Sequence, residues 1–334
     1  MSLKSRFYKA LPESVYFALD KRPFHAFLYH MVSSTQPSHL RGLYACKSPE
    51  LFEKDLQDFG RRYDFISYPE LSGFVRNGFP KTGKKKVFLS FDDGYAECFS
   101  IVRPLLLKYK VPCTFFLAVD FLDNRKMFYR NCAALLVRKL QENPEKEPVA
   151  LSVFKNKKGE ALKAGVQSAI PLILSLCLKD EPLIQELCGV LGIHIAEILE
   201  NQPLYMTAAE ARQLAHDGFS LGAHGLSHEL LSDVDENEQR RLILESTRAV
   251  SELSGQKETP FAFPFHGRGV RRRLLEDLKK EHPELGLFFD TGGLRKDASF
   301  VVNRMTADQH PQGKNADISS ILKAAYLDCL QKPG

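Results

Sequence analysis

The sequence lacks any run of apolar residues near the length of a membrane-spanning helix, which is about 18 residues. Its N-terminal segment also lacks the continuous apolar stretch and small-residue cleavage site of a signal peptide. These absences predict a cytoplasmic protein with no transmembrane segment. The alternative is a chain from which a signal peptide was removed before Met1.

Cysteine pairs with the CxxC spacing of a thiolate metal site are also missing. The seven cysteines lie far apart, and several, such as Cys113 and Cys177, sit inside apolar runs. Buried free thiols explain this pattern better than a disulfide framework, so the sequence predicts a reducing compartment.

A strong net charge is absent as well. The chain has 46 Lys and Arg against 41 Asp and Glu, a net charge of +5. Without a basic face or a known nucleic-acid motif, this balance predicts no nucleic-acid partner. With 334 residues, 44% of them hydrophobic, the chain is long enough for one large globular domain with a sizeable core.

Short β-branched and aromatic runs alternate with longer helical patterns along most of the chain. Such alternation predicts an α/β fold with a mostly parallel sheet or barrel. The predicted strands cover residues 24–32, 64–68, 87–91, 111–119, 219–224, 261–265, 285–292 and 299–305, and the predicted helices between and after them cover 48–63, 96–110, 237–253, 271–282 and 318–330.

One segment, residues 124–205, breaks this alternation because it has helix-like apolar spacing and no convincing strand. Helical patterns occur in it at 133–141, 161–178, 182–192 and 194–200. We interpret it as a helical insertion beside a single domain that spans 1–334.

Two adjacent carboxylates, Asp92 and Asp93, end the apolar run at 87–91. Like charges side by side at the mouth of a buried strand are costly unless they are paired or bind a metal. A second polar pair, His224 and His228, follows the run at 219–224. In a parallel barrel the carboxyl ends of strands meet at one face, so two histidines and one carboxylate could form an open three-ligand metal site. The other carboxylate is then free to act as a base.

The motifs "SFDDGY", "HGLSH" and "FAFPFHG", in this order, resemble the polysaccharide deacetylase family with its NodB homology domain, also called carbohydrate esterase family 4. The similarity extends over most of the chain outside the insertion. It implies a distorted (β/α) barrel of the NodB deacetylase type and metal-dependent removal of acetyl groups from a sugar.

The resemblance also implies roles for single residues. Asp92 matches the catalytic base, and Asp93, His224 and His228 match the ligands of a divalent metal. Zinc is the usual metal of the family, and cobalt, nickel or manganese could replace it. The backbone N–H of Phe265, in the third motif, would help to hold the oxyanion.

The sequence departs from the family pattern at three places. Ala262 stands where the family has an Arg that pairs with the base, and Arg304 is a candidate replacement. The late His that serves as general acid is missing; His266 is a candidate, and His30, which ends another strand-like run, could line the same face. The chain contains no Trp, so the usual tryptophan wall of the acetyl pocket is absent.

The sequence therefore predicts a hydrolase that deacetylates an N-acetylated sugar or polysaccharide. Three alternatives stay open: an amide hydrolase of the same fold that acts on a small non-sugar substrate, a catalytically weak glycan-binding protein, and a structural protein that matches the three motifs by chance. The sequence does not fix the oligomeric state or the sugar.

Overall fold

A computed structural model describes residues 12–158, 168–308 and 317–331. Within these ranges the strands pair into one sheet. Their bounds are β1 Phe24–Tyr29, β2 Tyr63–Phe65, β3 Lys85–Phe91, β4 Thr114–Leu117, β5 Ser220–Ala223, β6 Thr259–Ala262, β7 Leu285–Asp290, β8 Val301–Asn303 and β9 Met305–Thr306.

The α-helices surround this sheet or belong to the insertion. Their bounds are α1 Glu13–Leu19, α2 Pro49–Arg62, α3 Tyr68–Asn77, α4 Arg103–Tyr109, α5 Tyr129–Glu142, α6 Glu147–Lys158, α7 Ile170–Leu174, α8 Glu181–Leu191, α9 Ile195–Asn201, α10 Ala208–His216, α11 Glu236–Ser254, α12 Arg272–Glu281 and α13 Ile318–Gln331.

The strands form a nearly closed parallel barrel in the order β8-β7-β6-β5-β4-β3-β1-β9, with β2 paired to the start of β3. The two ends of this order, β8 and β9, belong to one stretch of chain that is interrupted at Arg304, and this stretch closes the barrel. The N–H of Arg304 donates to the Asp290 carbonyl of β7, whereas the N–H of Ala307 donates to the Leu28 carbonyl of β1. The barrel predicted from the sequence is confirmed.

Side chains alternate between the inside of the barrel and the surrounding helices, as the two-residue period of a strand requires. On β3, Leu89 and Phe91 belong to the core beneath the helices, whereas Phe88 points inward. Inside, the rings of Phe88 and Phe116 pack on Phe289 with centroids 5.1 and 5.0 Å apart. This aromatic layer fills the barrel below the ends of the strands.

Several predicted strands are longer than the observed ones. The strand predicted at 24–32 ends at Tyr29, because the N–H of His30 donates to the Asp308 carboxylate instead of a neighbouring strand. The strand predicted at 299–305 is divided at Arg304. Its N–H donates to the Asp290 carbonyl of β7, and its C=O accepts from the N–H of Gly293, which follows β7. At the carboxyl ends of the strands, regular strand pairing therefore stops where backbone groups form hydrogen bonds with other partners.

Helix α3 was not predicted, although the sequence carries a signal for it. Ser67 and Glu70 form a reciprocal capping box at its start. The phenol of Tyr68 accepts a hydrogen bond from the N–H of Leu287 at 3.0 Å and also contacts Glu258. The helix thereby packs against β7 and the inner layer of the barrel.

The insertion predicted at 124–205 contains α5 to α9, and the described part of it holds no strand apart from an isolated bridge between Tyr205 and Tyr95. Helix α6 was not predicted, and residues 161–167 of the helix predicted at 161–178 lie outside the described residues. The insertion has its own apolar core, which reaches the barrel mouth. Asn131 of α5 donates to the His39 carbonyl and bonds to the phenols of Tyr95 and Tyr205, so α5 is fixed against the mouth.

No single helix in the described ranges has the length and apolar character to cross a membrane. One helix pair, Leu178–Leu191 with Ile195–Asn201, would pass by length and composition together, but it is bent by 85°.

Candidate active site

The candidate residues meet at the carboxyl ends of the strands. They surround a cavity of about 250 Å³ lined by His30, Leu43, Tyr44, Asp92, Asp93, Phe128, Arg130, His224, His228, Phe263, Phe265 and Thr291. The barrel explains this convergence, because His30, Asp92 and His224 each follow directly on the last residue of a parallel strand.

Arg304 and Asp92 form a buried ion pair at the base of the cavity. The two guanidinium nitrogens of Arg304 lie 2.7 and 2.8 Å from the two carboxylate oxygens of Asp92. Arg304 is 0% and Asp92 2% exposed. Arg304 also donates to the Ser90 hydroxyl at 2.9 Å, and its guanidinium carbon lies 5.0 Å from the Phe116 ring centroid. Both the position and the plane of Arg304 are therefore fixed.

This pair controls the charge of Asp92. Burial acts to raise the pKa of its carboxyl, but Arg304 and His224 outweigh burial and hold that pKa below the ordinary value of 3.8. Asp92 is therefore ionised at neutral pH. Its Oδ2 also lies 3.9 Å from Nε2 of His224, so this carboxylate adjoins the histidine cluster.

Asp93, His224 and His228 present three ligand atoms that all lie within 4.8 Å of one another. Nε2 of His224 and Nε2 of His228 lie 3.5 and 3.3 Å from Asp93 Oδ1. That oxygen is buried and has no hydrogen-bond partner of acceptable geometry. Two nitrogens and an orphaned carboxylate oxygen converging on one point are the donor set of a transition-metal site.

The ring of His224 is oriented for this role. Its Nδ1 lies 2.9 Å from the carbonyl oxygen of Ala262 and donates a proton to it, which leaves the lone pair of Nε2 facing Asp93. The ring of His228 lies between Phe128 and Phe265, with both centroids at 4.5 Å, and burial lowers its pKa. A neutral imidazole is the form that binds a metal.

Backbone strain concentrates at the same place. Asp93, His228 and Phe265 have φ values of 73°, 60° and 58°, a region that non-glycine residues rarely adopt. Such conformations persist where the surrounding structure enforces them, and they cluster at functional sites. Among the described residues, the N–H of Phe265 donates to no acceptor. It is free for a ligand.

His30 enters the cavity from the end of β1. Its Nδ1 lies 2.9 Å from Oδ2 of Asp308, and its ring stacks on Tyr44 with centroids 4.7 Å apart. Burial acts to lower the pKa of His30, but the Asp308 carboxylate outweighs it and raises the pKa to about 9. The ring of His30 is therefore protonated at neutral pH. No sequence pattern indicated Asp308, because its partner His30 is 278 residues away.

The remaining sequence candidate, His266, is not part of the cavity wall, and its Nδ1 is buried without a hydrogen-bond partner in the described part of the chain. Asp290 accepts hydrogen bonds from the N–H groups of Gly267 and Thr291, so it holds the loop after β6 in place. In place of a tryptophan wall, the apolar side of the cavity is made by Leu43, Tyr44, Phe128, Phe263 and Phe265.

A family model described as polysaccharide deacetylase matches residues 80–146 and 190–292, about half of the chain. The chain belongs to the polysaccharide deacetylase family. The part left out between the two matched ranges lies inside the helical insertion. The strands β1, β2, β8 and β9 of the barrel also lie outside the matched ranges. No curated protein matches the chain.

Solved structures of several deacetylases share the fold. The deacetylase PplD of Streptococcus pyogenes, solved in complex with acetate, has 16% sequence identity and a TM-score of 0.52, with 87% of this chain and 95% of that chain covered. IcaB of Ammonifex degensii has 14% identity and a TM-score of 0.53, with 91% and 99% covered. The putative polysaccharide deacetylase BA0330 of Bacillus anthracis has 13% identity and a TM-score of 0.53, with 91% and 68% covered. At these identities the likeness concerns the barrel fold.

Proposed function

We propose that this member of the polysaccharide deacetylase family is a metal-dependent hydrolase that removes the acetyl group from an N-acetylated sugar or polysaccharide. One observation carries the proposal. A carboxylate that Arg304 keeps ionised, Asp92, lies beside the convergent donor set of Asp93, His224 and His228 at the floor of one cavity. A base next to a Lewis-acid site is the arrangement that amide hydrolysis requires.

Asp93, His224 and His228 would hold the cation. A set of two imidazole nitrogens and one carboxylate oxygen suits Zn²⁺ and leaves positions open for ligands, and Co²⁺, Ni²⁺ or Mn²⁺ can accept the same donors. When bound, such a cation supplies Lewis acidity to the acetyl carbonyl and to the attacking water.

Asp92 acts as the general base. It accepts a proton from water as the water oxygen attacks the acetyl carbon, and the two hydrogen bonds from Arg304 fix which side of the carboxylate faces the substrate. Arg304 thus performs, from its place between β8 and β9, the function that the family assigns to an Arg at the position of Ala262. The short side chain of Ala262 is buried in the inner layer and cannot reach Asp92.

The Phe265 N–H stabilises the oxyanion of the tetrahedral intermediate, because Phe265 lines the cavity and its N–H has no acceptor among the described residues. His30 then donates its proton to the leaving nitrogen as the carbon–nitrogen bond breaks, which yields the free amine and acetate. Proton exchange with solvent returns Asp92 to its carboxylate and His30 to its imidazolium. His30 takes this role in place of His266, which does not line the cavity.

If His30 is the general acid, the protein does not need the missing late histidine. The alternative of a protein that only binds glycans depended on that missing residue. The small-amide alternative differs only in substrate. Acetate release from N-acetylglucosamine oligomers and from a panel of small acetamides distinguishes the two.

The test measures acetate and free amine together in zinc-loaded protein. Wild type should release both in equal amounts from the N-acetylated oligomers. Asp92→Asn should bind zinc as wild type does and lose at least about a hundredfold in kcat, the usual scale of a general base. Equal turnover by wild type and Asp92→Asn would overturn the base assignment, and turnover of small acetamides alone would overturn the sugar substrate.

A further inference from the structure

Arg130 is a charged side chain in the cavity that the mechanism above does not use. It is the second residue of α5, the first helix of the insertion, and lines the cavity together with Phe265 and Thr291. Its guanidinium carbon lies 5.0 Å from the ring centroid of Phe265 and 5.8 Å from that of Tyr129. Both rings lie within cation–π distance of the guanidinium.

The other charges of the cavity are already matched. Asp92 pairs with Arg304, His30 pairs with Asp308, and Asp93 faces two histidines. These contacts account for every carboxylate that lines the cavity.

Arg130, in contrast, forms no ion pair with any carboxylate in residues 12–158, 168–308 and 317–331, and its Nε is buried without a hydrogen-bond partner. Its polar neighbour is the phenol of Tyr129, whose pKa is raised by burial against the opposing effect of Arg130. A buried guanidinium nitrogen without an acceptor is costly, so it marks a place where a ligand supplies one.

The first turn of α5 reinforces this charge. It contains no acidic residue, and the backbone dipoles at a helix start favour an anion. The matched family ranges pass through α5 but omit residues 147–189, so the helix that carries Arg130 connects the catalytic barrel to the added helices. The insertion thus contributes a positive group directly to the cavity wall.

We propose that Arg130 binds an oxyanion, a carboxylate or a phosphate, carried by the N-acetylated substrate. This inference rests on the proposed function and narrows its substrate class to acidic glycans and sugar phosphates. Guanidinium binds both groups through two parallel N–H donors, whereas the neutral hydroxyls of a plain N-acetylglucosamine chain leave its charge unmatched.

The test compares a neutral substrate with two anionic ones. The neutral substrate is an N-acetylglucosamine oligomer, the phosphate arm is N-acetylglucosamine 1-phosphate, and the carboxylate arm is an oligosaccharide that contains an N-acetylated aminouronic acid. In wild type, kcat/KM should be higher for at least one anionic substrate. In Arg130→Gln the anionic-to-neutral ratio should fall about 10- to 100-fold, mainly through KM, because a charge-assisted contact is lost. Arg130→Lys should recover part of the ratio.

Arg138→Gln is the matched control. Arg138 lies about two turns further along α5, is half-buried and pairs with Glu142 at 2.7 Å, so its loss removes the same charge from the same helix outside the cavity. This variant should keep the wild-type ratio. An equal loss on neutral and anionic substrates in Arg130→Gln would show a packing role for Arg130 and overturn the inference.

A binding measurement on an inactive variant tests the anion site separately from the proposed function. Calorimetric titration of zinc-loaded Asp92→Asn with N-acetylglucosamine 1-phosphate and with N-acetylglucosamine measures preference without turnover. Weaker binding of the phosphate in Asp92→Asn/Arg130→Gln supports the anion site even if wild type releases no acetate, in which case the proposed function fails alone. Turnover by wild type with no preference for either anionic substrate overturns the anion site and leaves the proposed function standing.

Discussion

Replacing Arg304 with Met tests how the base is kept ionised. Arg304 is fully buried and donates two hydrogen bonds to Asp92, which is itself buried. Met has a similar length and no charge, so Arg304→Met leaves the Asp92 carboxylate buried without a counter-charge. The substitution should therefore change both the stability of the fold and the pKa of the base.

The stability change follows from the burial of the pair. Removing one partner of a buried ion pair costs about 3–5 kcal/mol. An unfolding entropy of about 2.1 cal/mol/K per residue gives about 0.7 kcal/mol/K for 334 residues. Arg304→Met should thus lower the Tm by about 4–7 °C at pH 7, measured by calorimetry.

The pH dependence has a definite sign. The pKa of Asp92 in the folded chain is below its ordinary value of 3.8, so the pair stabilises the fold above that value and loses its effect as the pH falls through the folded pKa. Without Arg304, burial raises the pKa of Asp92. The acid limb of the kcat/KM profile should then move to higher pH, and the Tm difference between wild type and Arg304→Met should shrink toward pH 4.

Two further variants test whether Arg304 acts through the charge of Asp92. Arg304→Lys restores the charge without the paired donors and should place the acid limb between those of wild type and Arg304→Met. Arg304→Met/Asp92→Asn removes both charges and should be more stable than Arg304→Met while staying inactive. If the double variant is no more stable than Arg304→Met, or if the acid limb of Arg304→Met stays in place, Arg304 does not act through the charge of Asp92.

Three other predictions follow from particular contacts. The alkaline limb of kcat/KM should lie near pH 9, the pKa of His30, and should move to lower pH in Asp308→Asn because the Asp308 carboxylate is what raises that pKa. Removing metal with a chelator should abolish acetate release and lower the Tm, and adding Zn²⁺ should restore both, because a ligand that binds only the folded state stabilises it. Gly286→Ala should destabilise the fold by about 1–3 kcal/mol in denaturant unfolding, because its Cβ would lie 2.0 Å from the Tyr68 hydroxyl and 3.1 Å from the Pro260 nitrogen.

Each of these predictions has a control. An alkaline limb that is the same in wild type and Asp308→Asn would contradict the role of His30. Asp93→Ala should abolish the Tm shift on adding Zn²⁺, and an unchanged shift would place the metal elsewhere. Gly73→Ala, in α3 with open space around its Cβ, should leave stability unchanged or raise it slightly, so a loss equal to that of Gly286→Ala would refute the steric argument.

The order of strands and helices could be read from the sequence because local patterns determine it. Apolar runs marked the barrel strands, and Ser48 with Pro49 marked the start of α2, where the Ser48 hydroxyl accepts the Leu51 N–H. The ends of the strands could not be read in the same way. They depend on partners distant in sequence, such as Asp308 for the N–H of His30.

The residues of the candidate site also fall into those that a local motif indicates and those that only the fold brings into place. Asp92, Asp93, His224 and His228 lie in two compact motifs, so local spacing was enough to propose the cluster that the barrel brings together. Arg304 and His30 were candidates whose placement required the fold, since each acts across more than 200 residues of chain. The two-residue alternation of β1 offered one signal, because Ala26 belongs to the inner layer and the alternation places His30 on the same side. Arg130 lies in the insertion, where no motif indicated a functional residue.

The proposed metal site is tested most directly by a crystal structure of the protein soaked with Zn²⁺ and acetate, with anomalous data at the zinc edge. We expect one anomalous peak bound by Asp93 Oδ1, His224 Nε2 and His228 Nε2, and an acetate within hydrogen-bond distance of the Phe265 N–H. A strong peak at other residues, or acetate bound only outside this cavity, would contradict the proposed site.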